Sequence, residues 1–135
     1  MAFVHLHNHT EYSMLDGATK IKDMVRRAAD LDMPAVAITD HGVMCGVPEL
    51  CDACDAVEKE TGKRVKPIYG CEIYFTEDPE VGTKNKSRLY HMLLLAKNNV
   101  GYHNLVHLVS ESHVDNFYYK PRTTFDMLQR YSEGV

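Results

Sequence analysis

The chain has 135 residues, of which 44% are hydrophobic, and a formal charge of −4. That length and composition suit one globular domain or a piece of a larger one. The negative balance excludes nucleic-acid binding through a global basic field and leaves only local contacts, through metals or a small basic patch. No apolar run approaches the ~20 residues of a membrane span, and no export leader is expected before the first strand. Cys45, Cys51, Cys54 and Cys71 therefore read as reduced thiols of a cytoplasmic protein.

The first element is strand-like: Val4-His5-Leu6-His7-Asn8-His9-Thr10 alternates apolar and polar residues. Residues i, i+2 and i+4 of a strand share a face, so His5, His7 and His9 are expected on one side, where at least the last two can close on metal. A solvated histidine-rich strand is the plainer alternative, and a purification-tag remnant is disfavoured because the histidines are interrupted. A polar loop follows to Gly17. In it Asp16 is either a turn carboxylate or an oxygen ligand facing the histidines. Thr19 can cap a helix whose apolar face is Ile21, Met24, Val25, Ala28, Ala29 and Leu31, and Pro34 ends it.

Ala35-Val36-Ala37-Ile38-Thr39 reads as a buried parallel strand running straight into Asp40-His41-Gly42. The carboxyl ends of such strands are where α/β folds place their chemistry, and a buried charge there needs a partner such as a metal. A helix over 47–61 is closed by Gly62. Its Cys51-x-x-Cys54 pair has no second pair to complete a zinc ribbon, and it reads as part of the apolar stripe with Leu50 and Val57. A third strand over 65–75 contains Glu72, which either alternates to solvent or faces the site and spans two metals with its two oxygens.

Residues 76–87 are polar and expected to form a mobile loop. A fourth strand over 88–96 carries His91, either a satisfied core histidine or a further ligand. A helix over 100–113 presents His103, His107 and His113, most simply as its surface. The tail joins Phe117-Tyr118-Tyr119-Lys120-Pro121-Arg122 to a short helix ending near Arg130. This aromatic-basic cluster either holds a phosphate or nucleotide, or packs a loop. The order β-α-β-α-β-loop-β-α-loop-α predicts parallel strands with right-handed crossovers, as part of a (β/α) barrel or as an open sheet with a helix over its edge. A full barrel usually needs ~200 residues or more, so the chain is expected to be a fragment.

His7-Asn8-His9-Thr10, Tyr12 to Gly17, Thr39-Asp40-His41-Gly42, Gly70-Cys71-Glu72 and His91 resemble, in order, the motifs of the PHP (polymerase and histidinol phosphatase) domain. Phe3 to His7, Leu94 to Asn98, Gly101-Tyr102, Asn104-Leu105 and Phe117 to Arg122 look, more narrowly, like the amino-terminal region of bacterial DNA polymerase III alpha subunits. The resemblance implies the first four or so β/α units of a distorted (β/α)7 barrel, spanning residues 1–135. It implies up to three divalent ions (Zn, Mn or Fe) held by His7, His9, Asp16, His41, Glu72 and His91, with His5 a weaker candidate. Asp40 and Arg122 are the catalytic candidates, and in the polymerase context the resemblance implies, Arg122 and Lys120 are candidates for phosphate contact. The family's later ligands, a cysteine and an aspartate–histidine pair, have no counterpart before Val135.

The implied activity is metal-assisted phosphodiester hydrolysis, as a proofreading 3′–5′ exonuclease, within a DNA-directed DNA polymerase whose nucleotidyl-transfer domain lies elsewhere. Its implied partners are DNA, other replicase subunits and no membrane, with a second copy of the fragment as a possible completion of the core. Two other classes stay open: a structural module docking a separate exonuclease, and a stand-alone histidinol-phosphatase-like phosphoesterase. The Gly101-Tyr102 and Tyr119-Lys120-Pro121-Arg122 segments resemble the polymerase branch and argue against the second.

Overall fold

A computed structural model describes residues 3–77 and 88–135. Of the stretch expected as a mobile loop, residues 78–87 lie outside the described residues. The chain runs α1 (Ile21–Asp30), β1 (Ala35–Ile38), α2 (Val47–Thr61), β2 (Lys66–Phe75), β3 (Tyr90–Leu95), α3 (Asn99–Val114), β4 (Phe117–Tyr118), β5 (Lys120–Thr123), α4 (Phe125–Arg130). Among the described residues no helix is long and apolar enough to cross a membrane.

β2 organises the sheet. Its first half pairs in parallel with β1, from Ala35 opposite Lys66 to Ile38 opposite Tyr69. Its second half pairs antiparallel with β3, from Gly70 opposite Leu95 to Phe75 opposite Tyr90. Its last two residues pair in parallel with β5, on which β4 folds back as a hairpin. Tyr119 turns that hairpin with a φ of 58°.

Residues opposite one another in register share a face of the sheet. Val36, Ile38, Cys71, Ile73, Met92 and Leu94 therefore lie on one side, and that is the side the helices cover. Ile21 and Val25 of α1 meet Leu50 and Val57 of α2 over Val36 and Ile38. Leu108 of α3 packs on Cys71 and Ile73. Glu72, Tyr74 and His91 lie on the opposite face, and His41 joins them by bridging to Glu72 just beyond β1. Helices outside and polar side chains inside is the arrangement of a (β/α) barrel, here in part.

Four expectations need correction. Val4 to Thr10 forms no regular strand and pairs only through isolated bridges, His5 with Val36 and Thr10 with Thr19. The fourth strand, β3, returns antiparallel rather than parallel. A parallel return needs a long crossover, usually a helix, and the polar sequence from Thr76 offers no amphipathic pattern to build one. Thr19 does not cap α1. It bridges to Thr10, its carbonyl accepting from Glu11 N at 3.0 Å, and Lys20 occupies the cap position without a side-chain bond. The tail is a β4–β5 hairpin rather than a loop. α1 already ends at Asp30, before Pro34, and Gly62 ends α2 at φ 70° as expected; Asn98 caps α3 by accepting from Gly101 N at 3.0 Å, and Thr124 caps α4. Cys54 is buried in the core, which pushes its thiol up to about 11.

α4 is tied to α3 by Glu111. Burial raises this carboxyl, but hydrogen bonds from Arg130 (2.5 Å) and Tyr131 (2.9 Å) outweigh that and hold it below its ordinary 4.5. A group with a depressed folded-state value stabilises the fold above its ordinary value, and that contribution is lost as pH falls through the folded-state value. Glu111→Gln is expected to lower unfolding free energy by about 1 kcal/mol at neutral pH. In denaturant titrations at successively lower pH, the gap between variant and parent should close in the acid range.

Candidate metal centre

Sheet geometry decides which histidines meet. Ala37 N donates to the His5 carbonyl (3.0 Å) and Thr39 N to the Asn8 carbonyl (2.9 Å). Three residues of the first segment thus span two of β1, the extra residue of a bulge. Asn8 fills the gap, its side-chain amide donating to the Ala37 carbonyl at 2.9 Å and the His5 carbonyl at 3.3 Å. The bulge reverses the alternation, so the expected row of three histidines is broken. His5 turns away, its ring edge-on to Phe3 at 4.7 Å, whereas His7 and His9 stay together with their Nε2 atoms 3.2 Å apart.

Glu72 is the hub. Its side chain is only 5% exposed, and each carboxylate oxygen faces a different pair of histidines. Oε2 meets His7 Nε2 and, at 2.9 Å, His9 Nε2. Oε1 meets His91 Nδ1 and lies 3.8 Å from His41 Nδ1. His7, His9 and Glu72 form one group with ligand atoms all within 4.8 Å, and His41, Glu72 and His91 form another. Asp16 Oδ2 sits at the rim, 3.0 Å from His41 Nε2. Burial raises the Glu72 carboxyl, but hydrogen bonding to His7 and His91 and the neighbouring His41 outweigh it, holding the group below its ordinary 4.5. It is a carboxylate at neutral pH, able to give one oxygen to each side.

Two further observations fit a divalent cation here. His41 Nδ1 is buried with no hydrogen-bond partner among the described residues, although it points toward Glu72. His9 is held in the tautomer a metal needs. Ser13 Oγ donates its one proton to Asp40 Oδ1 (2.7 Å) and accepts from His41 N (3.1 Å). At 3.2 Å from the same oxygen, His9 Nδ1 must be the N–H partner, which leaves the Nε2 lone pair facing Glu72.

The catalytic candidates are placed away from this row. Asp40 is the strand neighbour of His41 and so points to the opposite side. Buried to 2% exposure, it accepts from Thr10 N (2.6 Å), Thr10 Oγ1 (2.7 Å) and Ser13 Oγ. Arg122 is 1% exposed, its Nε donating to the Asn116 carbonyl at 3.3 Å and its guanidinium 5.4 Å from the Tyr118 ring. In register with Tyr74 it lies on the same face of the sheet as Glu72, but it is enclosed there and does not line the cleft beside His41 and His91. Lys120 does line that cleft. His113, expected as helix surface, has its Nε2 2.8 Å from the Gly42 carbonyl and braces the loop after His41.

Thr10, Ser13 and Tyr74 were not foreseen. Tyr74 stacks on His41 (5.9 Å between centroids) and stands edge-on to His91 (5.2 Å). Its place two residues after Glu72, on the same strand face, was the available signal. Thr10 and Ser13 fall within motifs of the family resemblance, but their role is not readable locally, because their partner Asp40 is 30 and 27 residues away in the chain.

The sequence profile of the PHP domain matches residues 5–135. DNA polymerase III subunit alpha from Helicobacter pylori is 42% identical over 134 residues, covering 99% of this chain and 11% of that protein. The Treponema pallidum protein of the same name is 39% identical over 138 residues, covering all of this chain and again 11% of its own length. The chain thus spans about a ninth of the curated relatives it matches. A crystal structure from Bifidobacterium adolescentis, described as a metal-dependent phosphoesterase, superposes with a TM-score of 0.52 over 83% of this chain and 34% of that one. At 22% identity it speaks for the fold. The bridging position of Glu72 and the helix-outside sheet thus coincide with a profile match from His5 onward, and the chain belongs to the PHP domain family.

Proposed function

We propose that this chain is the amino-terminal part of the metal-binding PHP domain of a bacterial DNA polymerase III alpha subunit, and that the domain serves metal-dependent phosphodiester hydrolysis at the 3′ end of DNA, in proofreading. The observation that carries this is the sharing of Glu72 between two histidine pairs. A single buried carboxylate between two imidazole groups suits neighbouring cations, and a row rich in nitrogen donors favours Zn, Mn or Fe over Mg. His7, His9 and Glu72 would hold one ion, and His41, Glu72 and His91 a second, with Asp16 as an oxygen donor at the rim. A third ion would draw on ligands from the longer protein. When bound, such ions supply Lewis acidity, lowering the pKa of water and neutralising charge on a phosphate.

The chain's own residues have separable tasks. Glu72 fixes the spacing of the histidine pairs, and Tyr74 packs against two of their rings. Asp40 works by position: through Ser13 it sets the His9 tautomer and holds the backbone of the segment that carries His9. DNA and the other replicase subunits are the partners this reading assigns to the longer protein.

The test is metal content by elemental analysis joined to release of 3′-terminal nucleotides from labelled DNA by the full-length protein. Bound transition metal and metal-dependent release, with release lost and metal content lowered in His9→Ala while polymerisation is retained, is the expected result. Bound metal without release from any DNA end would instead make the domain a structural or docking module.

A further inference from the structure

Beside the metal centre lies a cleft of about 380 Å³ whose walls include Ser13, Asp16, His41, Tyr74, His91 and Lys120. Among the described residues Lys120 is its one lysine or arginine, and it is held in place. Its Nζ donates to the Tyr74 hydroxyl at 3.2 Å and lies 4.9 Å from the centre of the Tyr74 ring. Tyr74 itself is 7% exposed and stacked among His41 and His91, so it cannot swing away without disturbing the histidines. Gly42 seats the next residue of β5. It has a φ of 64°, and a Cβ on it would stand 2.7 Å from Pro121 Cγ, so only glycine lets the loop after His41 pack against the strand that carries Lys120.

A surface lysine normally pairs with a carboxylate or trails in solvent. Here, among the described residues, Lys120 forms no ion pair, and the only carboxylate lining the cleft is Asp16, which His41 already engages. Among the described residues only one of its three N–H donors is used, by Tyr74, and the cleft that Lys120 lines is also lined by His41 and His91 of the second ligand group. An aimed ammonium beside a cluster of metal-ligating side chains is suited to a tetrahedral oxyanion that spans both.

We propose that Lys120, oriented by Tyr74, is the phosphate-binding residue of this site, gripping a non-bridging oxygen of the substrate's phosphoester. This rests on the phosphoesterase reading above and adds to it the residue that reads the substrate's charge. It also separates two neighbours that the sequence left equivalent, since Arg122 is enclosed and Lys120 is open to the cleft.

The experiment is calorimetric titration of the protein, with and without added Zn²⁺, using two probes: inorganic phosphate and a thymidine dinucleotide. Lys120→Met is expected to weaken binding about ten- to a hundredfold, the effect of one charge-assisted hydrogen bond. Lys120→Arg should restore most of it, and Tyr74→Phe should weaken it severalfold. Metal content should be unchanged in all three. Loss toward both probes assigns Lys120 to any phosphate, and loss toward the dinucleotide alone assigns it to diesters; either upholds the proposal. Equal affinity of parent and Lys120→Met for both probes overturns it, as does failure of the parent to bind either. Failure of the metal reading is recognised separately, by absence of bound metal in the parent, and Lys120-dependent phosphate binding in the Zn²⁺-free arm would then still uphold the assignment of Lys120.

Discussion

Glu72→Gln is expected to strip divalent metal from both histidine pairs at once, whereas loss of any one histidine should spare the opposite pair. Glu72 is the only side chain common to the two ligand groups among the described residues. The amide keeps the shape and can still accept one hydrogen bond, but it has no net charge and only one oxygen to offer. Its amide nitrogen would leave one histidine pair with no oxygen donor, and the other pair would keep only a neutral carbonyl oxygen in place of an anionic one, so both positions are weakened. Removing outer support of a ligand typically costs 10–100-fold in metal affinity; loss of a shared inner carboxylate should exceed about 100-fold at each position. Elemental analysis after gel filtration reads this directly. His7→Ala and His91→Ala make the controls, each expected to lower the metal content only in part. Full metal retained in Glu72→Gln would mean that the cation sits elsewhere.

The second large effect is on stability. Asp40→Ala should destabilise the fold by about 3–5 kcal/mol, the range for removing one partner of a buried charged network. Three donors, Thr10 N, Thr10 Oγ1 and Ser13 Oγ, lose their acceptor in a site shut off from water. Thr10 is itself fully buried, so no solvent replaces the carboxylate. Chemical denaturation measures the loss, and the same preparations should bind metal less tightly because His9 loses its oriented partner. An Asp40→Ala protein as stable as the parent would show that the carboxylate acts on substrate and not on the fold.

How much of this was legible depended on the distance over which each feature is decided. The helices over Ile21 and Leu50 follow from periodic apolar residues and a terminal glycine, and they form as those signals direct. His7, His9, His41, Glu72 and His91 could be picked out because polar, ligand-type residues in or just after apolar strands are costly without a purpose, and the fold brings all five together. His5 looked equivalent to its neighbours because a bulge is written in the pairing with β1 and not in the segment itself. Asp40 and Arg122 show a different limit. Residue type advertises charge, but whether a charged group meets substrate or backbone depends on which side of a strand it leaves. For Asp40 that side was readable from His41 next to it; Arg122, in register with Tyr74, leaves on the side of Glu72 and is set apart by its burial, which no local pattern shows.

β2 also constrains how such a domain can vary. Ten consecutive residues serve three different neighbours, and odd and even positions carry unlike duties: Cys71 and Ile73 seal the helix side, while Glu72 and Tyr74 face the histidines. Inserting or deleting one residue upstream of Gly70 would exchange the two sets, presenting a buried thiol to the histidines and a carboxylate to Leu108. The residue count of this strand therefore fixes which side chains meet the histidines, whereas the length of the connections around it does not.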